Sequence, residues 1–255
     1  MSLLKFILNK AVPSPKIESL ERFLFVGPHP DDIEIGAGAT AAKLAHMGKS
    51  VCFVICTDGR FGDGFCDYRG DELVLVRQKE ALASAKALGV SDVRFLNLCD
   101  GANYEIAELE KMLARVIGEF KPQVIFAPDP CVTSECHADH LNTGNAARRL
   151  ACFAPYGGIM AGYGADSAPV KALAYYMTAK PNQFVGTKGY LKPQLDAVFK
   201  NHISQFPEGS NDAKSIALYL RLRGFGFGVL RKFGTAEGFR VLGVTQMHCF
   251  PEAGN

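Results

Sequence analysis

At 255 residues, 48% of them hydrophobic and 21% charged, the chain has the apolar material for a full core, which excludes a disordered or fibrous protein. A formal net charge of +2 gives no general affinity for polyanions, so nucleic acid is not an expected partner. The 8 cysteines are scattered without a CxxC pair, which argues against a zinc knuckle and for free thiols in a reducing cytoplasm.

Residues 1–11 carry Leu3, Leu4, Phe6, Ile7 and Leu8, but Lys5 and Lys10 break the run. It is too short for a signal-peptide core or a membrane span and reads as an N-terminal helix docked on the body. Short apolar runs then alternate with longer amphipathic ones. Strands are expected at 22–27, 50–57, 93–96 and 123–127, and helices at 37–48, 71–88, 104–120 and 139–152. Gly48 and Gly89 follow the last periodic residue of their helices, as a left-handed cap requires, and Pro122 closes another. This alternation predicts βαβ units and a parallel sheet. Beyond Pro155 the pattern weakens. The glycines at 157, 158, 162 and 164 read as a flexible loop, 170–177 and 240–245 as strands, and 190–202 and 212–222 as helices. With no repeat and no linker, residues 1–255 read as one domain.

Two clusters carry chemistry. His29-Pro30-Asp31-Asp32-Ile33 follows the first strand, and Cys136-His137-Ala138-Asp139-His140 follows the fourth; each precedes a helix. In a parallel sheet both lie at one edge, outside the strand carboxyl ends where open α/β sheets bind ligands. His29, Asp32 and one histidine of the second cluster make a two-His, one-carboxylate metal site, with Asp31 left free as a base. Each cluster alone is an ordinary turn, in which Asp caps a helix. Their coincidence on one edge is what points to a site.

His29-Pro30-Asp31-Asp32, Gly36 and His137-x-Asp139-His140 together resemble the PIG-L/LmbE-like family of zinc-dependent N-deacetylases. Thr57-Asp58-Gly59, Arg77-x-x-Glu80 with Leu88-Gly89, Asp100-Gly101, His202-x-Ser204-Gln205 and Ala236-Glu237-x-Phe239 match further stations of the family in order, over about 22–245. Ala138 stands where the family usually has proline, and residues 133–136 lengthen the loop before it. Glu34-Ile35-Gly36 follows a variant common in the branch that acts on small glycosides.

The resemblance implies a three-layer, Rossmann-like α/β sandwich with a mainly parallel sheet, LmbE-like in topology. It implies zinc held by His29, Asp32 and His140, a donor set that also suits ferrous iron. It implies Asp31 as general base, His137 as stabiliser of the tetrahedral oxyanion and Asp139 as the group that holds the His137 imidazole. Either Asp31 or His137 returns the proton to the leaving amine. Arg77 and Asp100 are the implied sugar contacts; the plainer readings are an ion pair of Arg77 with Glu80 and an Asp-Gly turn. Glu80 and Glu237 read as structural, and His202 as an orienting group or a surface histidine. The implied substrate is a small N-acetylated sugar or sugar conjugate.

Residues 216–233 mix Leu218, Leu220, Leu222, Phe225, Phe227, Val229 and Leu230 with Arg221, Arg223, Arg231 and Lys232, and Gly224, Gly226 and Gly228 make a continuous helix costly. The segment reads as a lid or a contact in a homo-oligomer; the other reading is weak contact with a membrane surface and a lipid- or nucleotide-linked sugar. Two other functions compete with the deacetylase. A two-metal phosphoesterase needs more carboxylate ligands than these clusters supply. A Rossmann-like nucleotide- or sugar-binding module needs a glycine fingerprint where the first turn reads Gly27-Pro28-His29-Pro30.

Overall fold

The computed structural model describes residues 7, 8 and 10–250, so the helix expected over 1–11 falls for the most part outside the described residues. In chain order the elements are β1 (Arg22–Gly27), α1 (Asp32–His46), β2 (Ser50–Thr57), α2 (Gly70–Ala87), β3 (Asp92–Leu98), α3 (Ile106–Phe120), β4 (Val124–Pro128) and α4 (Ala138–Phe153). They continue with α5 (Gly157–Gly162), β5 (Ala172–Tyr176), β6 (Gln183–Gly186), α6 (Leu191–Asn201), α7 (Asn211–Val229), β7 (Ala236–Gly243) and α8 (Val244–His248).

The strands form one sheet in the order β3-β2-β1-β4-β5-β7-β6. β1 to β5 run parallel, and β7 is antiparallel to both β5 and β6. Both faces of the central strands are buried, so the strands are apolar throughout and not alternating. Leu24 and Val26 enter one core with α3 and α4, through Leu109, Leu113 and Leu150. Phe23 and Phe25 point the other way, into a core shared with α1, α2 and α6. There Phe25 stacks on Phe126 with ring centroids 4.2 Å apart. The result is the expected three-layer sandwich.

The chain moves outward from β1 to β2 and β3 on one side, then returns to β4 beside β1. The strand order therefore reverses between β1 and β4, where the loops diverge and leave a crevice. The turns after these two strands are the ones that carry the two clusters.

Four local expectations change. Helix α1 begins at Asp32 and not near Ala37, but Ala37 is non-helical (φ −152°, ψ 16°), so a second helical run starts where the sequence pattern does. The N–H groups that this kink frees at Ala39 and Thr40 donate to the Glu237 carboxylate at 3.2 and 2.7 Å. Residues 157–162 are helical, not a loop, and Gly164 (φ 69°) turns the chain out of them. Helix α7 runs through Gly224 and Gly226 to Val229 because tertiary packing uses the missing side chain at its end. A Cβ on Gly228 would lie 2.5 Å from the Gly234 carbonyl oxygen. Finally, the last strand is 236–243, and the short half-buried β6 beside it has no distinctive sequence pattern.

Candidate metal and active site

The β1–α1 turn presents three side chains within four residues. The Asp32 carboxylate Oδ2 accepts the His29 backbone N–H at 2.8 Å, which closes the turn and fixes both side chains. Asp31 adopts φ 128°, a conformation that disfavours any residue but glycine and costs about 1–3 kcal/mol. Arg77, reaching over from α2, holds that turn. Its Nη2 donates to the Pro30 carbonyl at 2.9 Å and to Asp31 Oδ2 at 3.1 Å, and its Nη1 to the Gly59 carbonyl at 2.9 Å. Gly59 is needed there twice: its φ is 67°, and a Cβ would lie 2.5 Å from Arg77 Nη1. Arg77 is 3% exposed, so it is a buried clamp on Asp31 and not half of a solvated ion pair with Glu80. Glu80 instead accepts the Ser204 backbone N–H at 2.8 Å and its hydroxyl at 2.6 Å.

Across the crevice, His137 caps α4 and His140 lies one turn further on. His140 Nδ1 is 3.0 Å from Glu135 Oε2, which leaves Nε2 facing Asp32 Oδ2 at 3.5 Å. His29 Nδ1 is 3.1 Å from the same oxygen. Ligands bound to a tetrahedral zinc at about 2.0–2.1 Å are separated by about 3.3 Å. The spacing of His29, Asp32 and His140 therefore fits a single small divalent ion, and the two nitrogens and one carboxylate suit zinc or iron. The far nitrogen of His29, Nε2, lies 3.0 Å from Asp100 Oδ1 and 3.4 Å from Asp139 Oδ2, the carboxylate backing that orients metal-binding histidines.

A second cluster, His29, Asp100, His137 and Asp139, also brings candidate ligand atoms together. Its carboxylates are already engaged. Asp139, fully buried, accepts the Gly101 and Ala102 N–H groups at 2.9 and 3.0 Å, and Asp100 accepts those of Phe61 and Gly101 at 3.2 and 2.7 Å. Asp100 thus sits behind His29, not in an open turn. The Asp139 backbone N–H donates to His137 Nδ1 at 3.3 Å, while its Oδ2 lies 3.7 Å from that nitrogen. His137 Nδ1 is therefore an acceptor, its proton is on Nε2, and the half-exposed ring offers an N–H to the crevice.

The electrostatics follow from burial and from these pairs. Burial would lower the His29 pKa, but Asp100, Asp139 and Asp32 together hold it well above the ordinary histidine range. This is a buried imidazole ringed by carboxylates, where positive charge is favoured and a metal can replace the proton on Nδ1. Burial pushes the Asp31 carboxyl up to about 6; the Arg77 charge opposes the rise and Asp32 adds to it. Burial acts in the same sense on Asp32, but His140 and His29 hold it well below the usual carboxylate range. The two adjacent aspartates are thereby driven apart, one kept anionic and one poised to exchange a proton.

Two participants escaped sequence reasoning. Glu135, five residues before His140, lies in the lengthened loop, and that loop was the only sign of it. Glu34 pairs with His202, Oε1 to Nε2 at 3.3 Å, and both are buried, so His202 is not a surface histidine.

A fold with its ligand crevice at the β1/β4 switch point and this donor set describes a Rossmann-like α/β protein with a divalent-metal site. The chain belongs to the PIG-L family: the family described as GlcNAc-PI de-N-acetylase matches residues 24–151, which include every residue of the two clusters. A diacetylchitobiose deacetylase of Thermococcus kodakarensis is 31% identical, the match covering 99% of this chain and 93% of the relative. A 1D-myo-inositol 2-acetamido-2-deoxy-alpha-D-glucopyranoside deacetylase of Thermomonospora curvata is 32% identical over 63% of this chain and 60% of its own length. Among solved structures, the N,N'-diacetylchitobiose deacetylase of Pyrococcus horikoshii, complexed with an inhibitor, superposes with a TM-score of 0.84 at 31% identity, over 98% of this chain and 93% of that one.

Proposed function

We propose that the chain is a metal-dependent N-deacetylase that removes the acetyl group from a GlcNAc-type sugar conjugate, with zinc as the metal. The observation that carries the reading is the juxtaposition of His29, Asp32 and His140 at ion-binding spacing with the separately clamped Asp31. A divalent ion there supplies the charge that acidifies a water and polarises the acetamide carbonyl. Asp31, held by Arg77 and with its pKa lifted toward neutrality, takes the proton of the attacking water. His137 offers Nε2–H to the carbonyl oxygen as it becomes negative, and the Asp139 backbone N–H keeps that tautomer. Asp139 and Asp100 hold His29 from behind. Arg77 acts through Asp31 as a positioning residue. The leaving amine takes its proton from Asp31 or His137, the two groups that border the reaction.

The relatives' names support an N-acetylated sugar as substrate, and their range, from a disaccharide to an inositol glycoside, supports a small conjugate. The phosphoesterase alternative loses ground because the carboxylates of a second metal site are spent on backbone N–H groups. The 8 cysteines are free, in keeping with a reducing cytoplasm, and no described helix is long and apolar enough to cross a membrane.

The test is acetate release from N,N'-diacetylchitobiose, with metal content measured on the same preparation. Wild type should hold about one zinc per chain and lose activity with a chelator. Asp31→Asn should keep its metal and lose about 10²–10⁴-fold in kcat. Undiminished activity in that variant would remove Asp31 from the role of base.

A further inference from the structure

The metal ligands open onto a cleft of about 430 Å³, in the size range of small-molecule sites. Asp32 and His140 line it together with Tyr219 and Arg223 of α7. These α7 residues stand outside the motifs that carry the family resemblance, and the chemistry above does not use them.

Arg223 is held in place there. Its Nη1 donates to the Tyr219 hydroxyl at 2.9 Å and its Nη2 to the Thr178 carbonyl at 2.9 Å. The guanidinium lies 4.9 Å from the Phe227 ring centroid and 5.8 Å from that of Tyr219. Among the described residues no carboxylate forms an ion pair with it. An arginine fork has five N–H donors and no acceptor, and two anchoring bonds leave the others to find oxygen atoms. A cation stiffened against aromatic rings and left without a counter-charge beside a substrate cleft is built to receive acceptors from outside the protein. The glycines that looked adverse to a helix permit this placement: Gly224 and Gly228 are buried on the side of α7 that packs on the body.

We propose that Arg223 and Tyr219 form a subsite for the oxygen-rich group attached to the N-acetylated sugar, and so set the preference for a conjugate over the free sugar. Both residues line the same cleft as Asp32 and His140 but belong to neither candidate metal cluster, so the subsite meets the substituent and not the reacting group. The proposal rests on the N-deacetylase reading. The acceptors could be neutral hydroxyls of a second sugar or the oxygens of a phosphate, and both present the same donors with a partner.

The experiment compares N-acetylglucosamine, N,N'-diacetylchitobiose and N-acetylglucosamine 1-phosphate as substrates of the metal-loaded wild type, Arg223→Met, Arg223→Lys and Tyr219→Phe. Leu222→Ala, an exposed position on the same helix, is the control. Arg223→Met should raise KM for one or both conjugates about 10-fold, with kcat nearly unchanged and the free sugar unaffected. Arg223→Lys should fall between Met and wild type. A larger loss with the disaccharide identifies neutral hydroxyls as the ligand, and a larger loss with the 1-phosphate identifies a charged group. Equal losses on all three substrates, or no loss on any, would overturn the proposal, because a merely structural Arg223 cannot tell them apart. Should wild type release no acetate at all, calorimetric binding of the disaccharide decides. Weaker binding by Arg223→Met keeps the subsite while the reaction falls, and equal binding or none removes both.

Discussion

Replacing Gly36 by alanine should destabilise the protein, against the usual sign for that exchange in a helix. Gly→Ala inside a helix ordinarily stabilises by about 0.5–1 kcal/mol, through the backbone entropy of the unfolded chain. Gly36 lies in α1, one turn beyond Asp32, where a Cβ would sit 2.7 Å from Cε2 and 2.8 Å from Cγ of Tyr176. Tyr176 cannot swing aside: it is 2% exposed, and its hydroxyl donates to the Val26 carbonyl at 2.8 Å. Restoring ordinary contact requires a movement of about 1 Å in the ring or the helix. Overpacking of that kind costs about 1–3 kcal/mol, which outweighs the propensity gain. The movement also displaces Asp32 at the start of the same helix, so metal affinity should fall along with stability. Urea denaturation in the presence and absence of chelator, paired with zinc titration, measures both effects. Gly226→Ala is the counter-case, since nothing lies within 4 Å of its Cβ position, and it should stabilise by about 0.5–1 kcal/mol. A Gly36→Ala variant as stable as Gly226→Ala, with unchanged zinc affinity, would refute the close approach of α1 to Tyr176.

Arg77→Met should cost about 3–5 kcal/mol in urea melts, because it leaves a buried carboxylate and two backbone carbonyls without their donor; it should also lower kcat while the metal is retained. Burial pushes Glu237 up to about 7 from 4.5 despite its N–H donors, so the folded protein holds this proton longer than the unfolded chain does. Stability from this group is therefore greatest at low pH and falls as pH rises from about 4.5 to about 7, by up to about 3 kcal/mol. Thermal melts of wild type and Glu237→Gln across that window should show the slope in wild type alone. Ala138→Pro should stabilise by about 0.4–1 kcal/mol in the same assay, since Ala138 is the first residue of α4 and His137 (φ −75°, ψ 120°) already has the extended conformation that precedes proline.

The local pattern was readable wherever one physical requirement dominated. The buried parallel strands at 22–27 and 50–57 and the left-handed caps at Gly48 (φ 75°) and Gly89 (φ 80°) appear where the residue types demand them. The C-terminal third was less readable because two requirements compete there. Helix propensity argues against glycine at 224, 226 and 228, while close packing of α7 on the body requires glycine at 228, and packing prevails. Strand β6 escaped notice because four residues, three of them half-buried, carry too little pattern to separate a strand from a loop.

The sequence alone determined which atoms are available and roughly where: two clusters of metal-capable side chains, each at the carboxyl end of a parallel strand. Chain order and the right-handed crossover rule bring such ends to one edge without further information. Only the tertiary structure decided how the work is divided. Arg77 and Asp100 resemble sugar-contacting positions in the sequence, yet α2 and the turn after β3 carry them inward, one onto Asp31 and one onto His29. Tyr219 and Arg223 have no motif, yet the packing of α7 sets them in the lining of the cleft. The physical reason is range. Strand, helix and turn preferences act over a few residues, whereas a buried charge must find its partner wherever the fold brings one, here across 46 residues for Arg77 and Asp31.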